Sequence, residues 1–161
     1  MTAKRFIKGY VCVLLMFAMS GCGTDSTSMS VPIDPAGWKH GSMRVLRFHN
    51  TDTVSLRDIT LFVVYDNRAA EAENCLDMEI EVHSPGGTKF NENVKVAIDR
   101  PDEKNIIRQS STTYRRGVRL IDSGEYRIIL KNRNSLPIRG VRAAGIEITE
   151  SENGKRQTTQ I

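Results

Sequence analysis

Few residues in this 161-residue chain have the means for chemistry. The run Ile121-Asp122-Ser123-Gly124 has the apolar-Asp-Ser-Gly order in which aspartic proteases hold a catalytic carboxylate. That chemistry needs two aspartates sharing one proton, because two adjacent carboxylates cannot both ionise. Only one such run exists, so a homodimer would have to supply the second. A strand, an Asp-Ser-Gly turn and another strand also make a short hairpin without any catalysis, and the run reads as that hairpin. Asp77, Glu79, Glu81 and His83 alternate with apolar residues, which places all four on one face of a strand and suggests a hard-cation site. Same-face neighbours on a strand stand roughly 6.5–7 Å apart, so they cannot converge on one ion as the oxygens of a calcium loop do. A wet face balanced by Lys or Arg across the sheet is the expectation. His40, His49 and His83 lack zinc-ligand spacing. There is no Gly-rich phosphate loop and no Gly-x-Ser-x-Gly elbow. The sequence therefore predicts no catalytic residue, no metal site and no cofactor. Trp38, the single tryptophan, has the surface to stack on a sugar, yet a lone aromatic at a domain entrance more often plugs the core.

The covalent chemistry lies at the N-terminus. Lys4, Arg5 and Lys8 precede an apolar run from Gly9 to Met19, with no acid among them. That run has the length of a signal-peptide core and falls short of the ~20 residues that a membrane span needs. Ala18-Met19-Ser20-Gly21-Cys22 follows and resembles the bacterial lipobox, with small residues before a cysteine and Met19 where leucine is commoner. The small pair fits a narrow peptidase site, and the thiol takes the lipid. Lipidation at Cys22 is thus expected, with stable anchoring once two or more acyl chains are present. Gly23 to Pro35 is small and polar and reads as a tether reaching at most ~45 Å.

Charge and cysteines narrow the class. The chain has 23 basic and 19 acidic residues, a surplus that invites a nucleic-acid reading. Removing Lys4, Arg5 and Lys8 with the signal leaves a surplus of one, so no nucleic-acid partner is expected. Cys12 leaves with the signal and Cys22 is lipidated, so Cys75 has no partner in the chain and the fold cannot depend on a disulfide. It reads as a small, partly buried apolar residue.

The elements show period two. Leu76 to His83 alternates strictly, and Ile59 to Tyr65 is apolar on both faces, as in a central strand. Further strands are expected over Met43–His49, Val94–Ile98, Tyr114–Ile121, Tyr126–Lys131 and Val141–Thr149. Turn residues fall between them at Pro85-Gly86-Gly87, Asp122-Ser123-Gly124, Asn132-Arg133-Asn134 and Asn153-Gly154. Seven or eight short strands indicate an all-β, antiparallel β-sandwich, with the jelly roll as one form of it and a closed barrel as the alternative. The expected organisation is a signal over 1–21, a lipid-anchored tether over 22–36, the sandwich over 37–150 and a polar, frayed tail over 151–161.

Together these residues are similar to the gliding-motility-associated lipoproteins of Bacteroidetes, the GldH-like group. The carriers are the lipobox cysteine, Trp38, Phe48 with Asp52-Thr53, and Tyr65-Asp66-Asn67-Arg68. Asn74-Cys75-Leu76 then leads to Ser84-Pro85-Gly86-Gly87, and the C-terminal block runs from Gly124-Glu125-Tyr126-Arg127 through Leu136 to Gly145-Ile146-Glu147-Ile148. The resemblance spans nearly all of the mature chain and rests on the order of individually weak motifs. It implies a non-catalytic β-sandwich lipoprotein of the cell envelope, at the outer membrane, associated with other envelope proteins of the gliding apparatus. The chain departs from the pattern between Ala97 and Arg119, where a polar, basic segment stands. A carbohydrate-binding surface lipoprotein is the alternative; aromatics at 6% of the chain count against it.

That departing segment is also the candidate contact surface. Arg100, Lys104, Arg108, Arg115, Arg116 and Arg119 outnumber Asp99, Asp102 and Glu103. Arginine is enriched at interface anchors and Tyr114 is an amphipathic companion. Arg108, Tyr114, Arg115 and Arg116 are therefore the candidate partner-binding residues, set against the plainer reading of a solvated loop.

Overall fold

The computed structural model describes residues 26–152. The signal segment, the lipidation at Cys22, the first tether residues, the Asn153-Gly154 turn and the remainder of the tail lie outside the described residues. Among the described residues eight strands and one short helix follow one another: β1 (Ser26–Pro32), β2 (Met43–Asn50), β3 (Leu56–Asp66), α1 (Asn67–Ala72), β4 (Cys75–His83), β5 (Lys89–Ala97), β6 (Ile107–Arg119), β7 (Gly124–Asn132) and β8 (Val141–Glu150).

They form two four-stranded antiparallel sheets, in the orders β1-β8-β3-β6 and β2-β7-β4-β5. Only β4 and β5 are joined as a hairpin within one sheet; every other connection crosses to the opposite sheet. This is the jelly-roll arrangement of a β-sandwich, as the period-two pattern predicted, and it excludes the closed barrel. Burial follows the alternation: Leu76, Met78 and Ile80 of β4 face inward against Leu61, Val63 and Tyr65 of β3, all fully buried. Removing such side chains from water supplies the driving force at about 25 cal/mol per Å² of apolar area.

The crossings give the sandwich two ends. At one, Trp38 is buried with its indole N–H donating to the Ser42 carbonyl at 3.1 Å, while the Asn132 amide donates to the Trp38 carbonyl at 2.6 Å. The tryptophan plugs the core. Beside it, the buried Asp66 caps α1 by accepting from Arg68 N–H and pairs with Arg68 at 2.7 Å and Arg142 at 3.1 Å. At the other end lie Ser26, the connections over 51–55 and 120–123, and the 84–88 hairpin turn.

The sequence expectations need correction in three places. Residues 26–36 do not form a tether: Ser26 to Pro32 pairs antiparallel with Thr149 to Ala143 of β8, and Ile33 enters the core. Met29, Val31 and Ile33 alternate with Ser28, Ser30 and Pro32, a period-two signal masked by serine. Pro32 is tolerated because β1 is an edge strand. The segment from Asp99 to Arg119 is not one loop either, since Ile107–Arg119 is the edge strand β6. Ser151, expected in the frayed tail, is instead buried, and its N–H donates to the Leu56 carbonyl at 2.8 Å.

Candidate functional site

The end of the sandwich opposite Trp38 holds an open cleft of about 380 Å³. It lies between the edge strands β5 and β6, so its walls come from both sheets. Ile59 of β3 and Val82 of β4 face it from within, Phe90 stands at the start of β5, and Leu120, Ile121 and Asp122 close it from the β6–β7 connection. The lining is mainly apolar, and a small apolar void of about 30 Å³ beneath it, bordered by Phe48, Ile80 and Ile128, continues toward the core.

Irregular pairing of β6 creates the cleft. Inward and outward residues alternate from Ile107 to Tyr114 and the alternation then breaks, because Arg57 pairs Val118, Ile59 pairs Arg115 and Thr60 pairs Thr113. The extra residues on β6 are bulges, which bend a strand and re-aim its side chains. Gly117 takes φ +60°, a left-handed conformation suited to glycine, and its N–H donates to the Asp58 carboxylate at 2.7 Å. Tyr114, Arg115 and Val118 consequently all reach the cleft.

Its polar groups are largely engaged with one another. Arg115 pairs with Glu92 across the two edge strands and lies 4.6 Å from the Tyr114 ring centroid. The Glu92 partnership holds the Arg115 guanidinium more firmly protonated than usual, and burial raises the Tyr114 hydroxyl above its ordinary range. The Asp122 carboxylate accepts from Gly86 N–H at 3.3 Å, and the Tyr126 hydroxyl accepts from Asp122 N–H at 3.2 Å. A Cβ at Gly86 would stand 2.7 Å from that carboxylate, so glycine is what lets the hairpin turn approach the connection. Burial raises Tyr126 as well.

The Asp-Ser-Gly run is therefore a turn, but not the expected hairpin. It carries the chain from β6 in one sheet to β7 in the other, and Asn50 holds it by donating to the Leu120 and Asp122 carbonyls, both at 2.9 Å. Ser123 donates to the Asn50 carbonyl at 3.3 Å, away from the Asp122 carboxylate. The acidic face of β4 is the ion-pair surface the alternation predicted. Lys131 bridges Glu79 at 2.9 Å and Glu81 at 3.0 Å, Lys95 lies 3.7 Å from Asp77, and His83 contacts Glu81 at 2.5 Å. Lys131 draws the carboxyl of Glu79 below its ordinary range, and His83 with Lys131 does the same for Glu81. No group of three metal-ligating side chains occurs among the described residues.

Of the four candidate contact residues, the structure brings Tyr114 and Arg115 together in the cleft. Arg108 faces the Trp38 end, where it binds the 98–106 connection, and Arg116 stands exposed on the outer face. The sequence reading missed Ile59, Val82, Phe90, Val118 and Ile121, which come from different elements and converge only through the crossover topology. Cys75 is partly buried, as expected, and burial raises its thiol.

The fold and cleft define a jelly-roll sandwich with an apolar opening at one end. Neither a protein-family profile nor a curated protein matches the chain by sequence. Among solved structures it is similar to a protein of Sulfurospirillum deleyianum (14% identity, 78% of this chain and 98% of that one, TM-score 0.43). It is also similar to a family 35 carbohydrate-binding module from Clostridium thermocellum (18%, 77% and 91%, TM-score 0.38). A third similarity is to a chain of the infectious bursal disease virus Gx strain (11% identity, 82% of this chain, TM-score 0.41), of which this chain spans about a third, 34%. At such scores these likenesses define no family, and the functional reading rests on the chain's own residues.

Proposed function

We propose that this chain is a lipid-anchored protein of the cell envelope whose jelly roll is a non-catalytic binding domain, with the β5–β6 cleft as its binding site. The observation that carries the binding role is the cleft itself: an apolar opening built on strands, with Arg115 already paired to Glu92 and Asp122 to a backbone N–H. Such a lining retains an apolar group and has no activated nucleophile beside a base. The lipobox at Cys22 supports the anchor. The similarity to gliding-motility lipoproteins supports an outer-membrane location and envelope partners; the sugar-binding alternative keeps Phe90, Tyr114 and Tyr126 in the lining as its support. Two measurements test this. Cys22→Ala should give a precursor that takes up no labelled fatty acid, and normal maturation of that variant sinks the anchor. The purified domain should enhance the fluorescence of an apolar anionic dye, and Val118→Asp should abolish the enhancement; an unchanged signal removes the cleft as the site.

A further inference from the structure

We propose that the cleft end of the sandwich lies against the bilayer, so that the apolar partner of this site is the membrane surface itself. The inference rests on the lipid anchor proposed at Cys22 and adds an orientation and a contact to it. Cys22 precedes Ser26 by four residues, a stretch that spans at most about 14 Å. Ser26 pairs with Thr149, and Thr149 with Asp58, which places the first described residue at the cleft end of its sheet. The tether that would have let the domain stand off and turn freely is instead β1, clamped along β8. A lipid on Cys22 therefore holds this end, and not the Trp38 end, at the membrane.

The surface presented there fits a bilayer. Ile121 is 71% exposed, Val54 72% and Phe90 55%. These three stand on the 120–123 connection, the 51–55 connection and the hairpin, and Asn50 ties the first two together. Beside them Lys89 and Arg119 are exposed and, like Arg116 on the outer face of β6, make no ion pair among the described residues, against the one cleft carboxylate of Asp122. Apolar side chains entering the headgroup boundary beneath a basic rim are the pattern of interfacial binding to anionic lipid. The cleft opens at the same surface.

The test uses the full lipidated chain, reconstituted in vesicles of equal parts phosphatidylethanolamine and phosphatidylglycerol with brominated acyl chains, which quench indole on contact. Ile121→Trp and Leu136→Trp place a reporter at opposite ends, and Trp38, common to both, is buried at the Leu136 end. Each variant is first shown to melt as the parent does and to float with the vesicles. At an interfacial depth of ~5–10 Å, the added emission of Ile121→Trp should fall by about half while that of Leu136→Trp stays unchanged. Flotation with no quenching at either position overturns the membrane contact and leaves the anchor standing. Quenching at Leu136→Trp alone reverses the orientation and also overturns it. Failure to float overturns anchor and contact together.

Discussion

The guanidinium of Arg108 lies 5.2 Å from the centroid of the Tyr65 ring, and the Tyr65 hydroxyl accepts from Asp99 N–H at 3.1 Å. Arg108 also donates to the Asp99 carbonyl and to Asn67, both at 3.3 Å, and to the Arg100 carbonyl. It thereby fastens the connection after β5 to the fully buried Tyr65. Arg108→Ala should cost about 2 kcal/mol in chemical denaturation, the scale of a cation–π contact plus hydrogen bonds to a charged group. Arg108→Lys should recover little of it, because a point ammonium cannot stack and fork at once. Arg116→Ala, at an exposed site, should stay within about 0.5 kcal/mol.

Asp66 gives a pH-dependent counterpart. Hydrogen bonds from Arg68 come first among the causes that draw its carboxyl below the ordinary range, against the opposing effect of burial, and Arg142 adds to them. A depressed carboxyl contributes stability in full above its unfolded value near ~3.9, and loses it as pH falls through the lower folded value. Asp66→Asn keeps a capping side chain for α1 but removes the charge that faces two arginines. At neutral pH it should destabilise by about 2 kcal/mol. Denaturation curves below pH ~4 should show the difference between parent and variant shrinking, and a constant difference would assign the loss to packing.

Legibility in the sequence followed how strongly each strand contrasts its two faces. Leu76 to His83 announced β4 because its inner residues are large and its outer ones charged, and Ile59 to Tyr65 announced a central strand because its residues are largely apolar on both faces, which suits a strand with neighbours on either side. β6 was partly lost because Arg108, Ser110 and Thr112 occupy its inward positions near the sheet edge, where polar side chains still reach water or partners. The cleft was not legible at all. Tyr114 and Arg115 stood out by residue type, but Ile59, Val82 and Val118 are ordinary strand residues, and only the bulges of β6 and the sheet crossings gather them.

Asp122 separates a turn role from a catalytic one. Its carboxylate accepts a single long bond from Gly86 N–H, which an amide oxygen can also accept. Asp122→Asn should therefore shift stability by less than about 0.5 kcal/mol, and peptide-cleavage assays on the parent and the variant should both stay at background. Cleavage by the parent that the variant lacks would return the Asp-Ser-Gly run to candidacy as a catalytic group.

The clamped first strand makes the sharpest demand on the fold. Gly145 of β8 lies between β1 and β3, and a Cβ there would stand 2.3 Å from the Met29 carbonyl oxygen and 2.5 Å from the Phe62 ring. The oxygen belongs to the backbone of β1 and cannot turn aside, so Gly145→Ala must part β1 from β8 or push β8 out of the sheet. Losing β1 would uncover the β8 edge and the core residue Ile33, and an uncovered edge is an aggregation hazard. Two chains should then behave alike. One begins at Gly37, the boundary suggested by the sequence; the other begins at Gly23 and carries Gly145→Ala. Both should melt well below the Gly23 chain with glycine in place, by more than about 3 kcal/mol, and should aggregate on concentration. If the chain from Gly37 keeps the melting temperature of the longer one, β1 adds nothing to stability and residues 26–36 are a tether after all.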